Sequence, residues 1–227
     1  MGPNFDYVVC VNLDRCPERW ERFLEQMDRV GWPFGAIERV LAIDGLLLGP
    51  CPEGFWFKPK SQLGAWGCAR SHIRIIEDAL NGGVESLLIF EDDAVFAPDF
   101  NERWPLFCER LPADWDGLYL GGEHIDEPTP INEHVLRCKA VIHTHAWALR
   151  GRYIRDVYWW LSSYHAWARS PMNHIDHRLA TFISSSEHKV YAPTRWLVGQ
   201  DDSTSTISNK TFTEPRYWNP PDAQPAI

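Results

Sequence analysis

The stretch Leu87 to Phe100, LLIFEDDAVFAPDF, constrains this chain more than any other. Leu87, Leu88, Ile89 and Phe90 read as a strand buried on both faces. The run then breaks into Glu91, Asp92 and Asp93, three consecutive carboxylates that no apolar core accepts unpaired. An apolar strand ending in clustered acids is how α/β proteins present hard-cation ligands at the carboxyl edge of a sheet. Side-chain alternation would put Glu91 and Asp93 on one face and Asp92 on the other. A solvated acidic turn has the same local signature, so the flanking sequence has to separate the two readings.

The flanks predict alternating strands and helices. Tyr7 to Leu13 is β-rich and apolar, and Pro17 suits the first turn of a following helix. Trp20, Phe23, Leu24, Met27 and Val30 form an amphipathic stripe closed by Gly31, and Ile37 to Ile43 gives the next strand. A strand, helix, strand unit implies a parallel pair in a layered α/β sheet. Gly49 to Lys60 is a Pro- and Gly-rich loop. Ser61 opens a second helix whose buried face is Leu63, Trp66, Ile73, Ile76 and Leu80, stopped by Asn81-Gly82-Gly83. Its early glycines, within GAWGCARSH, suit close approach of a backbone or ligand better than they suit the helix.

Further on, Pro98 to Arg110 reads as helical, and Trp115 to Leu120 as a strand ending at Gly121-Gly122. His124 to Glu133 reads as a polar loop, and Val135 to Leu149 as one or two strands antiparallel to the rest. Gly151 to Ser163 and His174 to Ile183 are helices, Lys189 to Ala192 is a short strand, and the chain from Pro193 is a tail that wraps the site or moves. Without a repeat or a clear linker, residues 1–227 are expected to form one domain, with residues 1–5 and about 208–227 flexible.

Composition narrows the function classes. A net charge of −9 opposes nonspecific attraction to nucleic acid or an anionic membrane, while leaving room for a locally gripped strand. No apolar run approaches the roughly 20 residues of a membrane span. The N-terminal stretch lacks the pattern of a signal peptide. The six cysteines show no CxxC pair or framework spacing and read as reduced thiols of a cytoplasmic protein. Most of the 12 Trp are expected to fill the core.

Four blocks, VNLDRCPER at Val11 to Arg19, AIDG at Ala42 to Gly45, GCARSH at Gly67 to His72 and LLIFEDD at Leu87 to Asp93, resemble glycosyltransferase family 25 in order and spacing. That family includes lipooligosaccharide β-galactosyltransferases, which act in lipopolysaccharide biosynthesis, and collagen hydroxylysine galactosyltransferases. Later pieces agree: DWDGLYLG, THAWAL, HIDHRL and the tail from Gln200. The resemblance implies a GT-A fold, a Rossmann-like α/β sandwich with a mostly parallel central sheet. It also implies inverting transfer from a nucleotide-sugar, assisted by Mn²⁺ or Mg²⁺.

Roles follow for particular residues. The diphosphate leaving group needs its developing charge stabilised, which a cation held by one or two carboxylates supplies. Asp93 is the expected metal ligand, Glu91 a second ligand or a water-mediated support, and Asp92 a ribose contact or a residue that orients the turn. Asn12, Asp14, Arg15 and Arg19 sit just past the first strand, where open sheets receive nucleotides, and either arginine fits a phosphate. The nearest acids on its helix, Glu18 and Glu21, do not face Arg19. Asp44 is a base or ribose contact or a plain turn residue. By the resemblance, Ser71 and His72 face the donor. Asp176 is the expected general base, against the alternative that it caps its helix. His143 and His145 depart from the family, as does Thr206, which stands where the family has an acid.

The leading expectation is therefore a metal-dependent hexosyltransferase using a UDP-hexose, galactose or glucose, with a glycan, protein or hydroxylated nucleobase as acceptor. The alternative is a non-catalytic nucleotide-sugar-binding module of the same fold. A nucleotidyltransferase is the third class, and its basic Gly-rich signature is missing from the sequence.

Overall fold

The computed structural model describes residues 2–48, 62–163 and 174–201, together with residues 211, 213, 215 and 216. The predicted loop Gly49 to Lys60, Ser61, Asp202 and Thr206 lie outside the described residues. The described elements run β1 (Tyr7–Asn12), α1 (Pro17–Val30), β2 (Glu38–Leu41), α2 (Gln62–Asn81), β3 (Ser86–Glu91), β4 (Ala94–Phe96) and α3 (Phe100–Arg110). They continue through β5 (Gly117–Asp126), β6 (Thr129–Pro130), β7 (Val135–Arg137), β8 (Ala140–Arg150), α4 (Arg152–Ser162), α5 (Ile175–Ser185), β9 (Val190–Pro193) and β10 (Val198–Gln200).

Eight strands form one sheet in the order β2-β1-β3-β8-β5-β9-β7-β6. β1 pairs in parallel with both β2 and β3, while β8 runs antiparallel between β3 and β5. β9 is parallel to β5, and β7 and then β6 alternate beyond it, so all strands except β7 and β8 point one way. The sheet is mixed but mostly parallel in direction, as the sequence predicts, with the predicted antiparallel strand at its centre.

Strand alternation divides the core into two layers. Val9, Val11, Leu87, Ile89, Trp147 and Leu149 face one side, against Ile73 and Ile76 of α2, Ile154, Val157 and Leu161 of α4, and Leu179 and Ile183 of α5. Val8, Cys10, Leu88, Phe90, Ala146 and Ala148 face the other, against Phe23 and Val30 of α1 and Phe100, Trp104 and Phe107 of α3. β3 is buried on both faces, as its unbroken apolar run requires. Because α1 and α2 cover opposite faces, the chain reverses its winding at β1. The crevice between the carboxyl ends of β1 and β3 is thus a topological switch point, the usual ligand position in an open α/β sheet.

Three expectations need correction, and one is decided between its two alternatives. β5 does not end at Gly121-Gly122 but runs on to Asp126, replacing the start of the predicted loop. A Cβ on Gly121 would lie 2.2 Å from both His145 Nε2 and the Val198 carbonyl oxygen, so that glycine admits close neighbours rather than stopping the strand. Of the two forms expected for the chain from Pro193, its described start takes the first, wrapping the site: Trp196, Leu197 and Val198 are buried, β10 pairs with β4, and Gln200 lines both clefts. Leu63, placed on the buried face of α2, is exposed. At the N-terminus, expected to be flexible, Phe5 is buried against Phe34 and Trp115. Among the described tryptophans only Trp159 is largely exposed, and the five described cysteines are free thiols.

Candidate functional site

The switch point is built by local sequence at both strand ends. β1 ends at Asn12 and β3 at Glu91, in a register that pairs Val11 with Glu91. The Asp92 amide still bonds the Val11 carbonyl, at 3.1 Å, before the chain turns. Pro17 starts α1 immediately after Cys16, which puts Arg19 in its first turn, directed back over the strand ends. Arg19 Nη2 lies 2.6 Å from Asp92 Oδ1 and 3.2 Å from Asp93 Oδ2. Asp92 and Asp93 therefore share one cation and Glu91 stands apart, a different division from the one alternation implies. The pleat ends at Glu91, so the period of two does not extend into the turn.

Each carboxylate has its own surroundings. Glu91 Oε1 accepts a hydrogen bond from Thr144 Oγ1 at 2.6 Å and lies 3.1 Å from His72 Nε2. Burial opposes its ionisation, but the His72 and Thr144 hydrogen bonds hold its pKa down at about 2. Asp92 is held by Asn12 Nδ2 at 2.5 Å and by Arg19. Gln200 Nε2 donates to Asp93 Oδ2 at 3.1 Å, and the Asp201 amide donates to the Asp93 carbonyl at 2.8 Å. Asp93 Oδ1 is buried and has no hydrogen-bond partner among the described residues. Burial pushes Asp93 up to about 7 and Asp92 up to about 6; Arg19 pulls both down, and the neighbouring acids push them up again. The cluster holds more negative charge than one guanidinium neutralises.

Two clefts meet at this cluster. The larger, about 690 Å³ and open to solvent, is lined by Arg15, Arg19, Asp44, Gly45, Ser71 and all three acids. The smaller, about 400 Å³, is lined by His143, Thr144, His174 and Asp176. Glu91, Cys68 and Gln200 belong to both walls.

The floor of the larger cleft depends on glycine. A Cβ on Gly67 would lie 2.6 Å from the Gly45 nitrogen and the Ile43 oxygen, and one on Gly45 would lie 1.7 Å from the Leu63 carbonyl oxygen. The predicted close backbone approach is therefore between α2 and the Ile43–Gly45 segment. Ser71 Oγ locks the contact, donating to the Gly67 carbonyl at 2.7 Å and accepting from the Ile43 amide at 2.8 Å.

The remaining predicted residues fall into place around this floor. Arg15 Nε bonds Asp44 Oδ2 at 2.7 Å on the cleft rim, and Asp44 Oδ1 also accepts from the Leu46 amide. Burial raises the Asp44 pKa, but the Leu46 amide and Arg15 bring it below its ordinary value. Asp14 is exposed and does not line the cleft. Asn12 is buried, and its amide is fully used inside the protein: Nδ2 donates to the Cys16 carbonyl and Asp92, and Oδ1 accepts twice from Arg39. Where a donor contact was expected, Asn12 ties β1 to the acidic turn. His72 is fully buried on Glu91 and against Trp147, and lines neither cleft.

Asp176 sits in the first turn of α5, with Oδ1 on the His177 amide at 2.8 Å and Oδ2 on the His143 amide at 3.2 Å. His143 reaches it through a left-handed backbone, φ 69°, beside the register shifts where β5 pairs with β8. Such a conformation costs a non-glycine residue of the order of 1–3 kcal/mol and persists only where surroundings enforce it. His145 is buried, which lowers its pKa to about 4 and keeps it neutral.

Cys68, Thr144, Gln200 and Arg216 were not among the expected site residues. Arg216 Nη2 donates to Gln200 Oε1 at 3.2 Å and so supports the residue that holds Asp93. The sequence signals for Cys68 and Thr144 were present within GCARSH and THAWAL, but nothing local directed them toward Glu91.

Fold and cleft together define a layered α/β protein with an acidic ligand crevice at its switch point. Residues 57–144 match the family model "Glycosyltransferase family 25 (LPS biosynthesis protein)", and the resemblance to that family is thereby shown across the middle of the chain. The human inactive glycosyltransferase 25 family member 3 is 31% identical over 138 residues, 54% of this chain and 22% of that protein. Procollagen galactosyltransferase 1 of Danio rerio is 26% identical over 142 residues, 56% of this chain and 23% of that protein. The matched part of this chain thus corresponds to about a fifth of the length of these curated relatives. A solved structure of a glycosyltransferase involved in glycosylation of the PBCV-1 major capsid aligns at a TM-score of 0.41 and 10% identity, over 79% of this chain and 74% of that one. No described helix is long and apolar enough to cross a membrane.

Proposed function

We propose that the protein is an inverting hexosyltransferase that takes galactose or glucose from a UDP-sugar and passes it to an acceptor hydroxyl. The observation that carries this reading is the pair of clefts sharing the Glu91, Cys68 and Gln200 wall, one holding an acid cluster and the other Asp176. Inversion needs donor and acceptor on opposite sides of the reacting carbon, and two clefts joined at one wall accommodate that arrangement.

A divalent cation such as Mn²⁺ or Mg²⁺ fits the acid cluster. Its donors are hard oxygens, and among the described residues Asp93 Oδ1 is buried without a partner and the polar contacts of Glu91 fall on Oε1. Asp93 and Glu91 would hold the ion, and it would supply charge stabilisation to the departing diphosphate. Arg19 keeps Asp92 and Asp93 close together against their mutual repulsion. Arg15, on the cleft rim, has the fork geometry to meet a phosphate, and Asp44 orients it. Asp44 and Ser71 line the space left for the nucleoside.

Asp176 takes the proton from the acceptor hydroxyl as that oxygen attacks the anomeric carbon. The His143 and His177 amides fix its carboxylate, and Thr144 fixes Glu91 from the same strand.

A second reading, a non-catalytic nucleotide-sugar-binding module, draws on the relatives whose names call them inactive. Incubation with UDP-galactose or UDP-glucose, Mn²⁺ and a panel of glycan, hydroxylysine-peptide and hydroxymethylated-base acceptors, with release of UDP measured, separates the two. A transferase releases UDP in step with acceptor modification. Donor binding by calorimetry without any UDP release establishes the binding module instead.

A further inference from the structure

Cys68, His72 and Glu91 each bring one potential ligand atom to within 4.8 Å of the others. Cys68 and His72 are four residues apart on α2 and so lie on one helix face, and Glu91 approaches from the end of β3. The 3.1 Å between His72 Nε2 and Glu91 Oε1 is close to the roughly 3.3 Å that separates two ligands each about 2.0 Å from one tetrahedral ion. The set differs in kind from the Asp93 side of the cluster: it is one sulfur, one imidazole and one carboxylate. Thiolate and imidazole select Zn²⁺ and similar borderline-soft ions, whereas Mg²⁺ and Mn²⁺ prefer oxygen. Cys68 and Glu91 line both clefts, so a fourth coordination position would open toward solvent or substrate.

We propose that Cys68, His72 and Glu91 form a thiophilic cation site that takes Zn²⁺ and leaves one position open. Binding forms a Zn–S bond, and the Cys68 thiol proton leaves to solvent, so the site tightens as pH rises. The proton that His72 Nε2 shares with Glu91 shifts to Nδ1 as the ion enters, so His72 binds as the neutral imidazole through Nε2. That buried Nδ1 has no acceptor among the described residues, which supply no buttress of the kind that usually orients a metal-bound histidine. Affinity is therefore about 10–100-fold below that of a fully supported site, which suits a reversible ion rather than a structural one. Glu91 is also a proposed ligand of the oxygen-preferring ion. The two cations thus compete for one carboxylate, and Zn²⁺ acts as an antagonist of Mn²⁺. Only this competition rests on the proposed transferase reading; the thiophilic site itself does not.

Cobalt substitution tests the site. Reduced full-length protein titrated with Co²⁺ is expected to show a near-ultraviolet thiolate-to-cobalt charge-transfer band that saturates at one equivalent and is abolished by Zn²⁺. Cys68→Ser should remove the band, and Cys108→Ser should leave it unchanged. His72→Gln, which keeps the thiol, should weaken Co²⁺ binding at least tenfold, with folding of each variant checked by circular dichroism in a chelator. A wild-type protein without the band overturns the proposal, and so does a band that survives Cys68→Ser. In a second arm, Mn²⁺ binding is followed by electron paramagnetic resonance, and one equivalent of Zn²⁺ should release Mn²⁺ from wild type but not from Cys68→Ser. Zn²⁺ binding without displacement overturns the shared use of Glu91. Failure of Mn²⁺ to bind at all counts against the transferase reading and leaves the cobalt result standing.

Discussion

Arg19 Nη2 meets Asp92 Oδ1 at 2.6 Å, with both side chains about 8% exposed, so the first turn of α1 is tied to the turn after β3 by a buried ion pair. Removing one partner of such a pair leaves uncompensated charge and costs about 3–5 kcal/mol. Arg19→Met should lose stability of this order in urea unfolding at pH 8. The loss should shrink near pH 5, below the values of about 6 and 7 to which Asp92 and Asp93 are raised.

The acid cluster gives the metal-free protein a distinctive pH dependence. Asp92 and Asp93 have folded pKa values above those of the unfolded chain, so their contribution is fully present below about pH 4 and is lost as pH rises through 6 and 7. Glu91 has the opposite sign: its contribution is present above about pH 4.5 and is lost as pH falls toward 2. Melting temperature in a chelator should therefore fall between pH 5 and 8, and Asp93→Asn should flatten that slope. Mn²⁺ at pH 8 should raise the melting temperature of wild type and leave Asp93→Asn almost unmoved.

Asp176→Asn keeps the size of the side chain and an oxygen to accept an amide hydrogen bond, but removes the base. Turnover should fall by about 10²–10⁴-fold while donor affinity, measured by calorimetry, stays within about twofold. Retained turnover would take Asp176 out of the mechanism.

Gly67→Ala sets a Cβ 2.6 Å from two backbone atoms of the Ile43–Gly45 segment, and neither backbone can yield as a flexible side chain would. Overpacking of this kind costs about 1–3 kcal/mol. Because that segment forms the floor of the larger cleft, donor affinity should fall along with the melting temperature. Gly83→Ala, in the left-handed turn past α2, should lower stability without changing donor affinity.

The elements were legible wherever a local pattern caused them. Pro17, the stripe on α1 and Gly31 define that helix by capping and periodicity, and the structure gives it Pro17 at the start and a left-handed Gly31 at the end. β5 was misjudged because the glycine pair signals a break locally, while the space it makes for His145 and Val198 appears only when residues distant in sequence pack against it.

By itself the sequence determined that an apolar strand, buried on both faces, delivers three carboxylates to the edge of an α/β sheet, because burial and charge are properties of consecutive residues. Tertiary structure alone decided how those carboxylates are partnered. Asn12 and Asp92 lie 80 residues apart, Glu91 and Thr144 53, and Asp93 and Gln200 107. The choice of Arg19 as the shared cation, the union of Cys68, His72 and Glu91, and the left-handed turn that brings the His143 amide to Asp176 all depend on long-range packing, which no spacing along the chain encodes.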